Sequence, residues 1–194
     1  MVRHKIGVLA LQGAFESHAN VLERLSQPSC LVRTAAELES VDALILPGGE
    51  SSAMLRLMEA ERLAHRVAHR VEHGMPILAT CAGVILLALR VEPEQTSLAL
   101  LDVDVVRNAY GRQLHSSVET LRFEAALRPP DRGSGVFIRA PRIVRVGSEV
   151  EILAWLDEDP VLVSQNRILA ATYHPELGSD LRVHERFIGL VNSV

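Results

Sequence analysis

Pro76-Ile-Leu-Ala-Thr-Cys-Ala-Gly-Val-Ile-Leu-Leu-Ala-Leu-Arg90 is the stretch on which the fold turns. Its apolar run, Ile77 to Leu89, is shorter than the roughly 20 residues that span a bilayer and is interrupted by Thr80, Cys81 and Gly83. It therefore reads as a buried strand that passes through a turn into a buried helix, which excludes a membrane segment. The same strand-then-helix unit recurs on the N-terminal side. Lys5 to Leu11 is a near-continuous apolar run, as in a strand covered on both faces, and ends at Gln12-Gly13. From Ala14 to Leu25, Phe15, Ala19, Val21, Leu22 and Leu25 approximate helical spacing, and Ser26-Gln-Pro-Ser29 breaks it. Cys30 to Val32 and Val41 to Leu46 are further strands, the second stopped by Pro47-Gly48-Gly49. Ser51 and Ser52 are candidate N-caps for a helix from about Ala53, and a second helical stretch runs from Glu61 to Glu72. This alternation predicts a doubly wound α/β fold: a mostly parallel sheet with flanking helices.

Beyond Arg90 the helical period disappears, and the C-terminal half is expected to be β-rich. Strand candidates are Leu98 to Val106, Ser117 to Phe123, Gly135 to Ile138, Ile143 to Val146, Ile152 to Trp155, Val161 to Ser164 and Ile168 to Tyr173. Arg128 to Gly135 carries the one long loop signal, and Asp180 to Val191 is a closing helix. With no repeat, low-complexity tract or linker, residues 1–194 are expected to form a single domain.

Composition narrows the function. The chain has 48% hydrophobic residues, 4% aromatic residues and a formal net charge of −4. It lacks the basic footprint and the stacking surface that nucleic acid requires, so neither nucleic acid nor membrane is an expected partner. Two cysteines, Cys30 and Cys81, and no charged-then-apolar leader make a reducing cytoplasm the expected location.

In an open α/β sheet, ligands sit beyond the carboxyl ends of the strands. Gln12-Gly13, Pro47 to Ser52, Thr80 to Gly83 and His174 to Glu176 all reach that edge. Cys81, between a buried strand and an apolar helix with small Ala82 and Gly83 behind it, fits a nucleophile elbow. A helix N-terminus favours the thiolate there; a buried packing cysteine is the alternative on local sequence alone. Cys30 has no such turn and is assigned to the core. His174 and Glu176, one residue apart at a strand end, are expected on one face, where the histidine takes the thiol proton and the carboxylate orients it. The Gly48-Gly49-Glu50-Ser51 loop lacks the lysine of a phosphate loop. With the N–H groups of Gly49 and Ala82 it could instead form an oxyanion hole. His65, His69 and His73 recur at i, i+4 among Arg and Glu residues, which reads as a solvated helix face and not as a metal site.

Six segments together resemble the class I (triad) glutamine amidotransferases and, within them, the family of glutaminase subunits of pyridoxal 5′-phosphate synthase. They are Leu9-Ala-Leu-Gln-Gly-Ala14, Leu46-Pro-Gly-Gly-Glu-Ser51, Thr80-Cys-Ala-Gly83, Arg107-Asn-Ala-Tyr-Gly-Arg-Gln113, Val136-Phe-Ile-Arg-Ala-Pro141 and His174-Pro-Glu-Leu177. The resemblance implies Cys81 as nucleophile with His174 and Glu176 as its relay. It also implies glutamine contacts from Gly49, Glu50, Ser51, Arg107, Ile138 and Arg139, and a place for Gln12 where a synthase subunit docks and completes the oxyanion hole. The implied reaction is hydrolysis of L-glutamine to L-glutamate and ammonia in a hetero-oligomer with that subunit. No cofactor or metal is implied for this chain. The family pattern usually has Gly two residues before the nucleophile, where this chain has Ala79. An amidotransferase serving another synthase, or a scaffold of the same fold without activity, are the alternatives.

Overall fold

The computed structural model describes residues 4–109, 116–125, 127 and 132–193. Five parallel strands form half of the main sheet: β1 (Ile6–Leu9), β2 (Ser29–Val32), β3 (Ala43–Leu46), β4 (Ile77–Thr80) and β12 (Ile168–Ala171). Four antiparallel strands extend it: β7 (Ser117–Phe123), β8 (Arg132–Phe137), β10 (Glu151–Leu156) and β11 (Asp159–Gln165). The order is β2-β1-β3-β4-β12-β11-β10-β7-β8. Strands β5 (Ala88–Glu92), β6 (Leu101–Val106) and β9 (Arg142–Val146) form a separate three-stranded sheet.

The central strands are buried along their whole length because alternate side chains enter different cores. Leu44 and Leu46 of β3 pack with Met54 and Met58 of α3 (Ser51–Glu59) and Leu63 and Val67 of α4 (Leu63–Glu72). Ala43 and Ile45, which alternate with them in sequence, pack with Leu22 of α1 (Phe15–Arg24) and Phe187 of α6 (Arg182–Asn192). Helices therefore cover both faces, as the strand–helix alternation predicts. The second sheet adds Leu101, Val103, Val105 and Ile143 to the α3 side. Among the described residues no helix is long and apolar enough to cross a membrane.

The structure departs from the sequence reading in several places. The apolar helix after Cys81, α5, is only Ala82–Leu87; Ala88 and Leu89 already belong to β5, because Ala88 pairs with Leu101 of β6 and Arg90 with Asp104. Much of the supposed loop from Arg128 is strand: Arg132 to Phe137 pair with β7, while residues 128–131 lie outside the described residues. Its glycines are packing residues, since a Cβ on Gly135 would lie 2.9 Å from Leu121 and 3.0 Å from Tyr173. A short helix α2 (Ala35–Glu39) was not anticipated, although Thr34 and Glu37 form a complete capping box. The cap of α3 is Glu50 and not Ser51 or Ser52: its carboxylate accepts from the N–H groups of Ser52 (3.1 Å) and Ala53 (2.7 Å).

Helix α5 runs so close to β3 that a Cβ on Gly83 would lie 2.4 Å from the Leu46 carbonyl oxygen. A backbone carbonyl cannot move aside as a side chain can. Gly83→Ala should therefore lower the unfolding free energy by about 1–3 kcal/mol. Urea denaturation measures it, and an unchanged midpoint would contradict this packing.

Candidate active site

Neighbouring strands β1, β3, β4 and β12 end at the same sheet edge, so the segments that follow them meet there. The turn after β4 puts Cys81 at φ 47°, ψ −105°, a backbone conformation sparsely populated by residues with a Cβ. Two hydrogen bonds hold it: the Cys81 N–H donates to the Ala171 carbonyl (2.9 Å), and the Val84 N–H donates to the Cys81 carbonyl (3.0 Å). The residue is only 6% exposed, and its Sγ lies 3.7 Å from the Ile138 carbonyl oxygen. Cys30 is half-buried in edge strand β2 and packs against the core on the α3 side.

His174 reaches Cys81 from beyond β12. Its N–H donates to the Val136 carbonyl (2.8 Å), and its Nδ1 lies 2.7 Å from Glu176 Oε1. The expected strand-face argument does not apply, because β12 ends at Ala171 and Pro175–Leu177 form one turn of 3-10 helix. Pro175 at its start turns the chain, and the two side chains meet through that turn. Burial pulls the His174 pKa down, but the pull of Cys81 and the hydrogen bond to Glu176 outweigh it and raise the value to about 10. Glu176, 6% exposed, is held below the usual carboxylate range: burial opposes its charge, and the pull of the His18 imidazole behind it and the bond to His174 prevail.

A cavity of about 340 Å³ opens beside the sulfur. Cys81, Ala82, His174, Gln12, Gly49, Glu50, Ser51, Arg107, Ile138 and Arg139 all line it, with Glu176 behind His174. Gly48 lies where a Cβ would come within 2.4 Å of His174 and 3.2 Å of Cys81, so only glycine leaves room for this pair. Neither Gly48 nor Gly49 has a positive φ. The loop is fixed by side chains: Gln12 Oε1 accepts the Glu50 N–H (2.8 Å), and Arg107 lies 3.4 Å from Glu50 Oε1. Tyr110 to Gln113 of the Arg107 segment lie outside the described residues.

Sequence reasoning missed three side chains here. Gln95 Oε1 accepts from both Ser51 Oγ (2.9 Å) and Ser52 Oγ (3.2 Å), a contact between segments with no sequence signature. His18 on α1 and His184 on α6 are wholly buried beside Glu176; histidine on an otherwise apolar helix face was the available signal. A larger hollow, about 760 Å³, holds none of the residues above. It is lined by His65, His69 and His73, all exposed, with the last two rings stacked at 4.1 Å.

A solved glutamine amidotransferase structure is 44% identical with a TM-score of 0.89, covering 96% of this chain and 98% of that one. At 19% identity and a TM-score of 0.75, a putative GMP synthase component from Thermoplasma acidophilum shares the fold, with 100% and 96% of the two chains covered. Among curated relatives, the pyridoxal 5′-phosphate synthase subunit PdxT of Thermotoga maritima is 47% identical over 188 residues, 96% of this chain and 99% of the relative. That of Koribacter versatilis is 48% identical over 190 residues, 97% of this chain and 96% of the relative. The SNO glutamine amidotransferase family matches residues 8–193, and the chain belongs to that family.

Glu50 joins cap and cavity, so its loss is measurable without activity. Glu50→Ala should lower stability by about 1 kcal/mol through the lost α3 cap, read by thermal or urea unfolding. A variant as stable as the parent would show that the carboxylate contributes nothing there.

Proposed function

We propose that this chain is the glutaminase subunit of a pyridoxal 5′-phosphate synthase, with Cys81, His174 and Glu176 as its catalytic triad. The observation that carries this reading is that His174, paired through Nδ1 with Glu176 Oε1, shares the cavity with a cysteine held in a strained turn.

The Cys81 sulfur gives its proton to His174 and attacks the side-chain amide carbon of L-glutamine. Negative charge builds on the former carbonyl oxygen, where the N–H groups of Gly49 and Ala82 receive it; Ala82 opens α5, so its N–H has no acceptor within the helix. The C–N bond breaks as His174 protonates the nitrogen, and ammonia leaves a γ-glutamyl thioester on Cys81. Water then adds to the thioester, His174 takes its proton, and glutamate departs as the sulfur recovers its charge. Glutamine plus water thus gives glutamate plus ammonia. The raised pKa of His174 suits its task, because it keeps the proton that the leaving nitrogen needs. Arg107 offers a cation to the substrate carboxylate, with Gly49, Glu50, Ser51 and the Ile138-Arg139 pair completing the site.

Ammonia passes to a synthase subunit bound in a hetero-oligomer, and residues 1–194 act as one glutamine amidotransferase domain in the cytoplasm. Gln12 supports a coupled activation, because the same amide that lines the cavity holds the Glu50 N–H beside Gly49. A partner that moves Gln12 moves the loop, and one oxyanion donor gained or lost is worth a factor of about a hundred to a thousand in rate.

Ammonia release from glutamine, with and without the synthase subunit, tests the reading. The subunit should raise turnover, and Cys81→Ala should lose at least about a thousandfold. Gln12→Ala should depress the stimulated rate more than the basal one. Near-parental turnover in Cys81→Ala would sink the triad, and equal loss of both rates in Gln12→Ala would remove Gln12 from activation.

A further inference from the structure

Behind Glu176 lies a chain of buried polar groups that the reaction above does not use. His18 and His184 are each 0% exposed, and their rings approach through His18 Nδ1 and His184 Nε2 at 3.0 Å. The other nitrogen of His18 lies 3.1 Å from Thr80 Oγ and 3.3 Å from Glu176 Oε2. Two buried atoms end this chain without a hydrogen-bond partner, Glu176 Oε2 and His184 Nδ1. Burial keeps both rings neutral: it lowers the pKa of His18 despite the pull of Glu176, and brings that of His184 to about 3.

A neutral imidazole has one N–H, so only two arrangements satisfy the His18–His184 contact. If His18 carried its proton on Nδ1 and donated to His184, its Nε2 lone pair would face the Glu176 carboxylate, and His184 would hold a buried N–H with no acceptor. Both features cost free energy in a dry interior. If His184 donates from Nε2, His18 accepts on Nδ1 and turns its own N–H toward Thr80 and Glu176. The unpartnered atom of His184 is then a bare lone pair, the cheaper group to leave unmade.

We infer that His18 is a positioning residue for the triad: its Nε2–H, fixed in that tautomer by His184, attracts Oε2 of Glu176 and keeps Oε1 turned to His174. Its geometry resembles that of the outer partner that orients a histidine ligand or base, moved one group further back. Helices α1 and α6, distant in sequence, thereby set the angle of the carboxylate. The inference rests on the triad assignment above.

Two measurements test it. Long-range 1H–15N correlation spectra of the 15N-labelled chain at neutral pH, assigned with His18→Gln and His184→Gln, should show both imidazoles neutral and protonated on Nε2. A proton on His18 Nδ1, or a charged His18, would overturn the inference even if Cys81→Ala proves the triad inactive as expected. In the complex with the synthase subunit, His18→Phe keeps the bulk and removes the N–H. It should lower kcat for glutamine hydrolysis by about tenfold or more with KM within about twofold. His18→Gln, which can place an N–H near the same point, should recover to within about threefold of the parent. Full activity of His18→Phe, or equal impairment of both variants, would overturn the positioning role. Should His18→Phe fail to fold, the spectra of the parent chain still decide.

Discussion

The site depends on the backbone of one residue, Cys81, held at a positive φ where β4 turns into α5. A conformation of this kind costs on the order of 1–3 kcal/mol and persists only if its surroundings over-determine it. Here they do so from three sides. Strand β12 fixes the Cys81 N–H through the Ala171 carbonyl, the first turn of α5 fixes its carbonyl, and Gly83 brings that helix down onto the end of β3. The strain does chemical work: it turns the sulfur off the strand direction and toward His174 and the cavity. Gly48 and Gly83 then follow from sterics, since a methyl group at either would collide with the elbow or its support.

From this turn outward, polar contacts link the cavity to both its rear and its rim. At the rear, Glu176 ties His174 to the interface of α1 and α6. At the rim, Gln12 holds Glu50, Glu50 caps α3 and meets Arg107, and Ser51 and Ser52 share Gln95. The carboxylates at the two ends differ in exposure: the Glu50 side chain is 47% exposed, that of Glu176 not at all. Motion during turnover is therefore expected at the rim, where breaking a contact re-exposes groups to water, and not in the buried rear.

Much of the fold was legible because a parallel strand covered on both sides must be apolar throughout, as Ile6 to Leu9, Ala43 to Leu46 and Ile77 to Thr80 nearly are. The segments that follow β1, β3, β4 and β12 could be placed at one edge by topology alone. What could not be read depended on contacts between distant segments. The helix after Cys81 stops at Leu87 because Ala88 onward finds a partner in β6, which no local propensity reveals. Gly133 and Gly135 look like loop residues but serve the close packing of β8 against Phe123, Leu121 and Tyr173. The proximity of His174 and Glu176 was anticipated from strand alternation, yet a 3-10 turn produces it. His18 and His184 show in the sequence only as histidines on apolar helix faces; their partners, like those of Gln95, are far away in sequence.

On the proposed mechanism, the strained turn makes Cys81, and not Cys30, the nucleophile. Incubating the chain, with the synthase subunit proposed as its partner, with a diazo-ketone analogue of glutamine, then mapping the adduct by peptide mass spectrometry, is the decisive test. One adduct is expected, on Cys81, suppressed by excess glutamine. An adduct on Cys30, or none on Cys81 while glutamine is being hydrolysed, would contradict it.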